Sequence, residues 1–301
     1  MLQKFDSRNK DLKIYVNGEL YHRDEARISV FDSVVQGGDA VWEGLRLYNE
    51  GIFLLDRHLD RLQDSAKAMH FNNIPDREDI KKALARTLQA NAMKQDVHIR
   101  LTLTRGEKIT SGMDPRLNTK GCGLIIVPEF KPPVYDNTNG ISVFTSTVRR
   151  NSPNHLDSKI HHNNLINNIL AKIQANAAGA DAALMLDVHG FASELNGTNI
   201  FMIKKSVVYT PHADACLPGI TRGLVLEMCR ELNIPFVEKN ISLTELYAAD
   251  EVFCTGTMGE LTPIMQIDGR SIPGTGGGQI LQKLNAHFHT KISSHCVKIS
   301  H

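Results

Sequence analysis

The sequence lacks most of the features that mark a special environment. No apolar run approaches the ~18 residues that a helical membrane span requires, so no membrane partner is expected. Charge of one sign is also missing. Lys and Arg number 34 against 33 Asp and Glu, a formal net charge of +1, which argues against a nucleic-acid surface or an acidic tail. Cysteine is sparse: Cys122, Cys216, Cys229, Cys254 and Cys296 are scattered, with no CxxC and no paired spacing. Free thiols in a reducing, cytoplasmic setting fit that pattern. The thirteen histidines contain no HExxH, and His161 and His162 are adjacent rather than one helical turn apart, so no metal site is expected. The opening MLQKFDSRNKDLK is polar and has no apolar centre of the signal-peptide kind. There is no internal repeat.

What is present is a chain of 301 residues with ordinary hydrophobic content, enough for one large or two modest domains. LKIYVNGELYHR predicts two strands joined at Asn17-Gly18, a two-residue hairpin signal. DAVWEGLRLY and IFLL predict strands joined by a turn at Asn49-Glu50-Gly51. Asp56 is the expected N-cap of the helix that follows, with Leu59, Leu62, Ala66 and Met69 on one stripe. Pro75-Asp76 opens a second helix, to about Asn91. VHIRLTLTR alternates strictly, with Val97, Ile99, Leu101 and Leu103 on one face and His98, Arg100, Thr102 and Thr104 on the other. The stretch from Glu129 to Gly140, rich in Pro, Asn, Asp and Gly, reads as a linker. The expectation is an α+β fold of two domains. A small N-terminal domain covers 1–132, a linker 133–139, and a larger barrel-like domain 140–301. A helix is expected over about Asn163–Ala178. The GTGGG run at 274–278 lacks the Lys-Ser/Thr of a phosphate loop and reads as a surface loop. The end of the chain reads as a short helix with a frayed tail.

The segment from Ser158 to Phe201 carries a lysine, Lys159, ahead of a helical pattern, and a carboxylate, Glu194, 35 residues on. That gap accommodates one helix and two strand passes. A lysine amine able to form a Schiff base and an acid at the pyridine nitrogen are what pyridoxal phosphate needs. On spacing alone, two surface residues are the commoner outcome. Two stretches could hold a phosphate. PGITR places Ile220 and Thr221 at a helix start, where free amides bind anions. CTGTMGE offers Thr255, Gly256 and Thr257 at a strand end. Arg61 is the candidate arginine. Alone, each has a plain alternative in a cap, a tight turn or an exposed helix charge.

Together, VWEGLR, HLDRLQDSA, the lysine segment, ASELNGTNIF, LPGITR and CTGTMGELTPI, in that order, resemble the class IV pyridoxal-phosphate aminotransferases. The likeness runs along nearly the whole chain. It implies that Lys159 is the Schiff-base lysine and Glu194 the acid at the ring nitrogen. It implies that Arg61, Ile220, Thr221 and Thr257 bind the phosphate and that Leu217 packs on the ring. Met258 falls where an amide meets the substrate carboxylate, and Arg46 and Arg100 match arginines near the substrate pocket. Trp42 and His98 complete the implied substrate-binding set. The branched-chain members are most similar, although Gly37, Trp42, His98 and Asn164 depart from the usual aromatic pattern. The implied reaction is transamination between a branched-chain or other hydrophobic L-amino acid and 2-oxoglutarate. The alternatives within the family are a D-amino-acid or (R)-amine transaminase and aminodeoxychorismate lyase. The implied assembly is a homodimer or larger homo-oligomer.

Overall fold

The computed structural model describes residues 3–49, 51–274 and 278–299. The chain is α+β and divides into two compact units. The N-terminal unit comprises Gln3–Pro132, Ile160–Asn164 and 292–299. The C-terminal unit comprises Pro133–Lys159 and Leu165–Lys291. Glu50, and Thr275, Gly276 and Gly277 of the GTGGG run, lie outside the described residues.

In the N-terminal unit, strands β1 (Lys13–Val16) and β2 (Glu19–His22) form the hairpin expected at Asn17-Gly18. A short helix α1 (Ser33–Gly37) leads into β3 (Ala40–Tyr48) and β4 (Gly51–Phe53). Helices α2 (Leu55–Ala68) and α3 (Arg77–Ala90) precede β5 (Val97–Thr104) and β6 (Gly123–Phe130). The helix-packed face of this sheet supplies Leu45, Ile99 and Leu101, buried with Leu59, Leu62, Ile80 and Leu84. The second helix opens after Pro75-Asp76 as expected, and Asp76 caps it, accepting from Asp79 N–H at 2.8 Å. Asp56 does not cap α2. The helix starts one residue before it, behind Leu54 in the left-handed region (φ 51°), and Asp56 is a first-turn acid favoured by the helix dipole.

The C-terminal unit runs β7 (Ile141–Thr145), α4 (Ile166–Ala177), β8 (Ala182–Leu186), β9 (Ala192–Leu195), β10 (Asn199–Lys204) and β11 (Val207–Thr210). Then come α5 (Ile220–Glu231), β12 (Phe236–Glu238), α6 (Leu243–Tyr247), β13 (Glu251–Gly256), β14 (Glu260–Ile267) and β15 (Arg270–Ser271). Its strands lie in the order β12-β11-β10-β13-β14-β7-β8-β9, with β15 on β14. Topology forces this sheet to curl. In a flat sheet β9 would lie five strand spacings, about 24 Å, from β10. The chain joins them directly from Leu195 to Asn199, a reach of about 14 Å at most.

Two further expectations need correction. The helix after Lys159 starts at Ile166, not near Asn163, because residues 160–164 are extended against β3 instead. Trp42 N–H donates to the His161 carbonyl (2.9 Å), Asn163 N–H donates to the Ala40 carbonyl (2.9 Å), and His162 bridges Val41. This segment covers the part of the β3 edge that β4, paired only at Leu47 and Tyr48, leaves open. The chain end is also more ordered than a frayed tail. Helix α7 (Gln279–His295) is followed by β16 (Cys296–Lys298), which pairs antiparallel with β4 and completes the N-terminal sheet. Backbone pairing, invisible to hydrophobic periodicity, decides both cases.

Candidate active site

The C-terminal unit holds Lys159, Glu194, Leu217, Ile220, Thr221, Thr257 and Met258. Lys159 follows a braced loop. Ser158 is fully buried and its hydroxyl donates to the Asn151 carbonyl (2.6 Å), while Asp157 Oδ1 accepts from the Lys159 backbone N–H (3.0 Å). The Lys159 ammonium lies 3.4 Å from Asp157 Oδ1, and its side chain is 42% exposed. Glu194, on β9, is buried. Arg150 donates from Nε to its Oε1, and Oε2 accepts from Asn199 Nδ2 (3.3 Å) and from the Leu217 N–H (3.3 Å). Arg150 sits just past β7 and is itself buried, so it balances the Glu194 charge out of water.

Asn199 ties this carboxylate to the start of α5. Its Nδ2 also donates to the Leu217 carbonyl (2.9 Å), and a Cβ on Gly219 would stand 2.0 Å from its Oδ1. A side chain at 219 would have to displace the Asn199 amide. Gly219 is the N-cap of a twelve-residue helix with no side-chain cap and no acid in its first turn. The amides of Ile220 and Thr221 therefore sit where helix starts bind anions. Arg222 is turned to other work, donating to the Pro211 carbonyl (2.8 Å) and to Glu238 (2.5 Å). Thr255 Oγ1, at the end of β13, is buried and has no hydrogen-bond partner among the described residues. Thr257 and Met258 form the turn into β14, where the Met258 carbonyl accepts from Val134 N–H (3.0 Å).

The N-terminal unit holds the remaining residues. Pairing of β3 with β5 sets Trp42 opposite Thr102, Gly44 opposite Arg100 and Arg46 opposite His98, so all lie on one sheet face. The Arg100 guanidinium lies 3.8 Å from the Trp42 ring centroid and donates to Asn163 Oδ1 at 3.3 Å. Among the described residues no carboxylate pairs with Arg100. Burial pulls its pKa down from the ordinary value, and the side chain stays a cation suited to an incoming anion. Arg46 is buried and donates to the Lys131 carbonyl (2.5 Å). Burial, with Lys131, Arg46 and Arg100 nearby, pushes His98 down to about 3, so it is neutral.

On the opposite face of β3 lies Glu43, fully buried. Arg61 forks onto it, Nε to Oε1 at 2.8 Å and Nη2 to Oε2 at 2.7 Å. His58 Nδ1 stands 2.6 Å from Oε2 and His161 Nδ1 3.1 Å from Oε1. Burial alone would raise the Glu43 pKa; Arg61 and His161 outweigh it and hold the carboxyl well below its usual range.

A model of the class IV aminotransferases matches residues 40–267, three quarters of the chain. The chain belongs to the class IV aminotransferase family. It is 59% identical over 276 residues to the branched-chain-amino-acid aminotransferase-like protein 2 of Arabidopsis thaliana, covering 92% of this chain and 49% of that protein. The chain thus spans about half the length of that relative. Identity to the putative branched-chain-amino-acid aminotransferase of Methanocaldococcus jannaschii is 40% over 283 residues, covering 92% of this chain and 95% of that one. The fold matches the T.th. branched-chain amino acid aminotransferase complexed with N-(5'-phosphopyridoxyl)-L-glutamate at a TM-score of 0.88. Identity there is 28%, over 97% of this chain and 99% of that one.

Within this class IV chain, sequence reasoning missed Glu43, His58, Arg150 and Asn199. Arg150 lies just after the strand at Ile141–Thr145 and Asn199 in ASELNGTNIF, but neither has a spacing that announces its partner. His58 and Arg61 did carry a signal: three apart on one helix, they share a face and call for one acid.

Proposed function

We propose that the chain catalyses pyridoxal-phosphate-dependent transamination between a branched-chain or other hydrophobic L-amino acid and 2-oxoglutarate. The observation that supports it most is the Asn199 bridge. One amide locks a buried carboxylate, Glu194, to a helix start without a side-chain cap, where any side chain at 219 would displace that amide. The orphaned Thr255 hydroxyl is a further donor-acceptor of the kind a bound ligand would engage. These residues fit the cofactor. When bound, pyridoxal phosphate supplies an electron sink for a carbanion at the substrate α-carbon.

The protein's own residues supply the rest. The Lys159 amine would hold the cofactor aldehyde and would serve as the base for the proton at the substrate α-carbon. Glu194, fixed by Arg150, would keep a proton at the ring nitrogen. The Ile220 and Thr221 amides, with Thr257 and Arg61, would hold the phosphate, and Leu217 would pack on the ring. Met258 would offer its amide to the substrate α-carboxylate. Trp42, with His98 and Arg46 beside it, would meet the side chain. Arg100, a cation without a carboxylate partner among the described residues, would read the distal carboxylate of 2-oxoglutarate.

The reading includes a cytoplasmic homodimer. Helix α4 supports association: it buries Ala171 and Ala175 but exposes Ile166, Ile169, Leu170 and Ile173 along one stripe. No helix among the described residues is long and apolar enough to cross a membrane.

Borohydride reduction followed by peptide mapping should place a pyridoxyl group on Lys159. Lys159→Ala should lose at least about 10²-fold in turnover, the lower end of what a positioned acid–base group contributes. A pyridoxyl group elsewhere, or an active Lys159→Ala protein, would refute the proposal. Assaying both enantiomers of each donor separates it from a D-selective enzyme.

A further inference from the structure

The pair His161–His162 has no part in the chemistry proposed above, yet His161 is built into the N-terminal unit on several sides. Its N–H donates to Ser65 Oγ (3.1 Å) and its carbonyl accepts from Trp42 N–H (2.9 Å). Its ring stacks on Trp42 with centroids 4.2 Å apart and a tilt of 38°. Its Nδ1 stands 3.1 Å from Glu43 Oε1. An ionised carboxylate only accepts, so Nδ1 carries the proton and the imidazole is the donor. Both neighbours reach an arginine. Glu43 is forked by Arg61, and Trp42 lies under Arg100. One imidazole therefore touches the supports of both arginines.

We propose that His161 is a positioning residue that sets the two arginines together. Its Nδ1–H holds the Glu43 carboxylate that orients Arg61, and its ring face sets the plane of the Trp42 indole on which Arg100 lies. The inference rests on the roles proposed for Arg61 and Arg100, but its first readout does not. The charged and titratable groups around the ring are Glu43, His58 and Arg61. Burial is the largest influence and brings the imidazole to about 4, so it is an uncharged donor at neutral pH.

Two variants separate the two contacts. His161→Phe keeps a ring against Trp42 and removes the donor. His161→Gln keeps a donor within reach of Glu43 and removes the ring. Trp42 is the only tryptophan in the sequence, so emission from the cofactor-free protein reports the stack directly. In His161→Phe the emission maximum should stay put while the affinity for pyridoxal phosphate falls about tenfold, the loss of one charge-assisted bond. In His161→Gln the emission should shift to the red with cofactor affinity close to wild type. The KM for 2-oxoglutarate should then rise about fivefold as Arg100 loses its fixed platform, with kcat little changed. A purely structural histidine would show no such split, and both readouts would move together with the urea midpoint. Absence of the emission split overturns the inference even where pyridoxal phosphate binds normally. An emission split in a protein that binds no pyridoxal phosphate overturns the proposed function and leaves the placement of Trp42 standing.

Discussion

Glu43 and Glu194 stand in different units, are 0% and 4% exposed, and each faces an arginine. They differ in what else surrounds them. Glu194 is met by one buried arginine, one amide side chain and one backbone N–H. Glu43 is met by a forked arginine and two imidazoles, on a face otherwise made of Val41, Leu45 and Leu47. A carboxylate among apolar neighbours with three side-chain donors is a structural keystone. A carboxylate bound partly by backbone at the mouth of a helix is suited to a ligand. The difference suggests that Glu43 governs whether the N-terminal unit is stable and Glu194 governs what the C-terminal unit binds.

The sharpest way to break that contrast is Glu43→Ala. It leaves the Arg61 charge and two imidazole donors without their acceptor in a fully buried place. The expected cost is about 3–5 kcal/mol, the range for removing one partner of a buried ion pair. Urea unfolding followed by circular dichroism measures it, and a loss below about 1 kcal/mol would show that the site relaxes or admits water.

Glu194→Gln should give the opposite balance. The amide oxygen can still accept from Arg150, and the stability cost should be about 1–3 kcal/mol, that of leaving a buried bond imperfectly made. Pyridoxal phosphate affinity and turnover should fall by much more than in Glu43→Gln. If both glutamines lose cofactor equally with the same unfolding midpoint, the division of labour is wrong.

Glu194 is legible through the family resemblance, which assigns it a role, whereas Glu43 has no such mark and strand periodicity does not supply one. In VWEGLR the period of two places Trp42 and Arg46 on one face, and the family resemblance is what marks both as site residues. Glu43 falls on the other face, where the same period expects an apolar residue. A charge out of phase is the trace of a buried pair, but its partners lie on α2, and strand alternation says nothing of which helix covers the strand. The elements themselves were mostly legible: the Asn17-Gly18 hairpin, the alternation of β5, the helix start at Pro75-Asp76 and the α5 start all depend on local chemistry. The extended run at residues 160–164 and the pairing of β16 were not, because both are made by hydrogen bonds to distant strands. In α4 the four-residue steps of Ile169 and Ile173 mark the exposed stripe, while small alanines make the buried one. Periodicity finds a stripe without saying what covers it.

The smallest expected effect is a pH slope, and it tests the surroundings of Glu43 from the histidine side. Unfolded imidazoles protonate near 6.5, whereas folded His161 takes its proton only at about 4 and folded His98 at about 3. Between those values the unfolded chain binds more protons, so stability falls as pH falls, by about 1.4 kcal/mol per pH unit for each histidine. Glu43 acts in the same direction. Its folded pKa is depressed, so its contribution is complete above its ordinary value of 4.5 and is lost as pH drops through the folded one. From pH 7 to pH 5 only the histidines act. His161→Phe should therefore lose less stability over that interval than the wild-type protein, by about 2 kcal/mol. Urea midpoints at the two pH values give the comparison directly. An equal fall in both proteins would mean that His161 is protonated in the fold at pH 5, and that the Glu43 pocket is wetter than its burial implies.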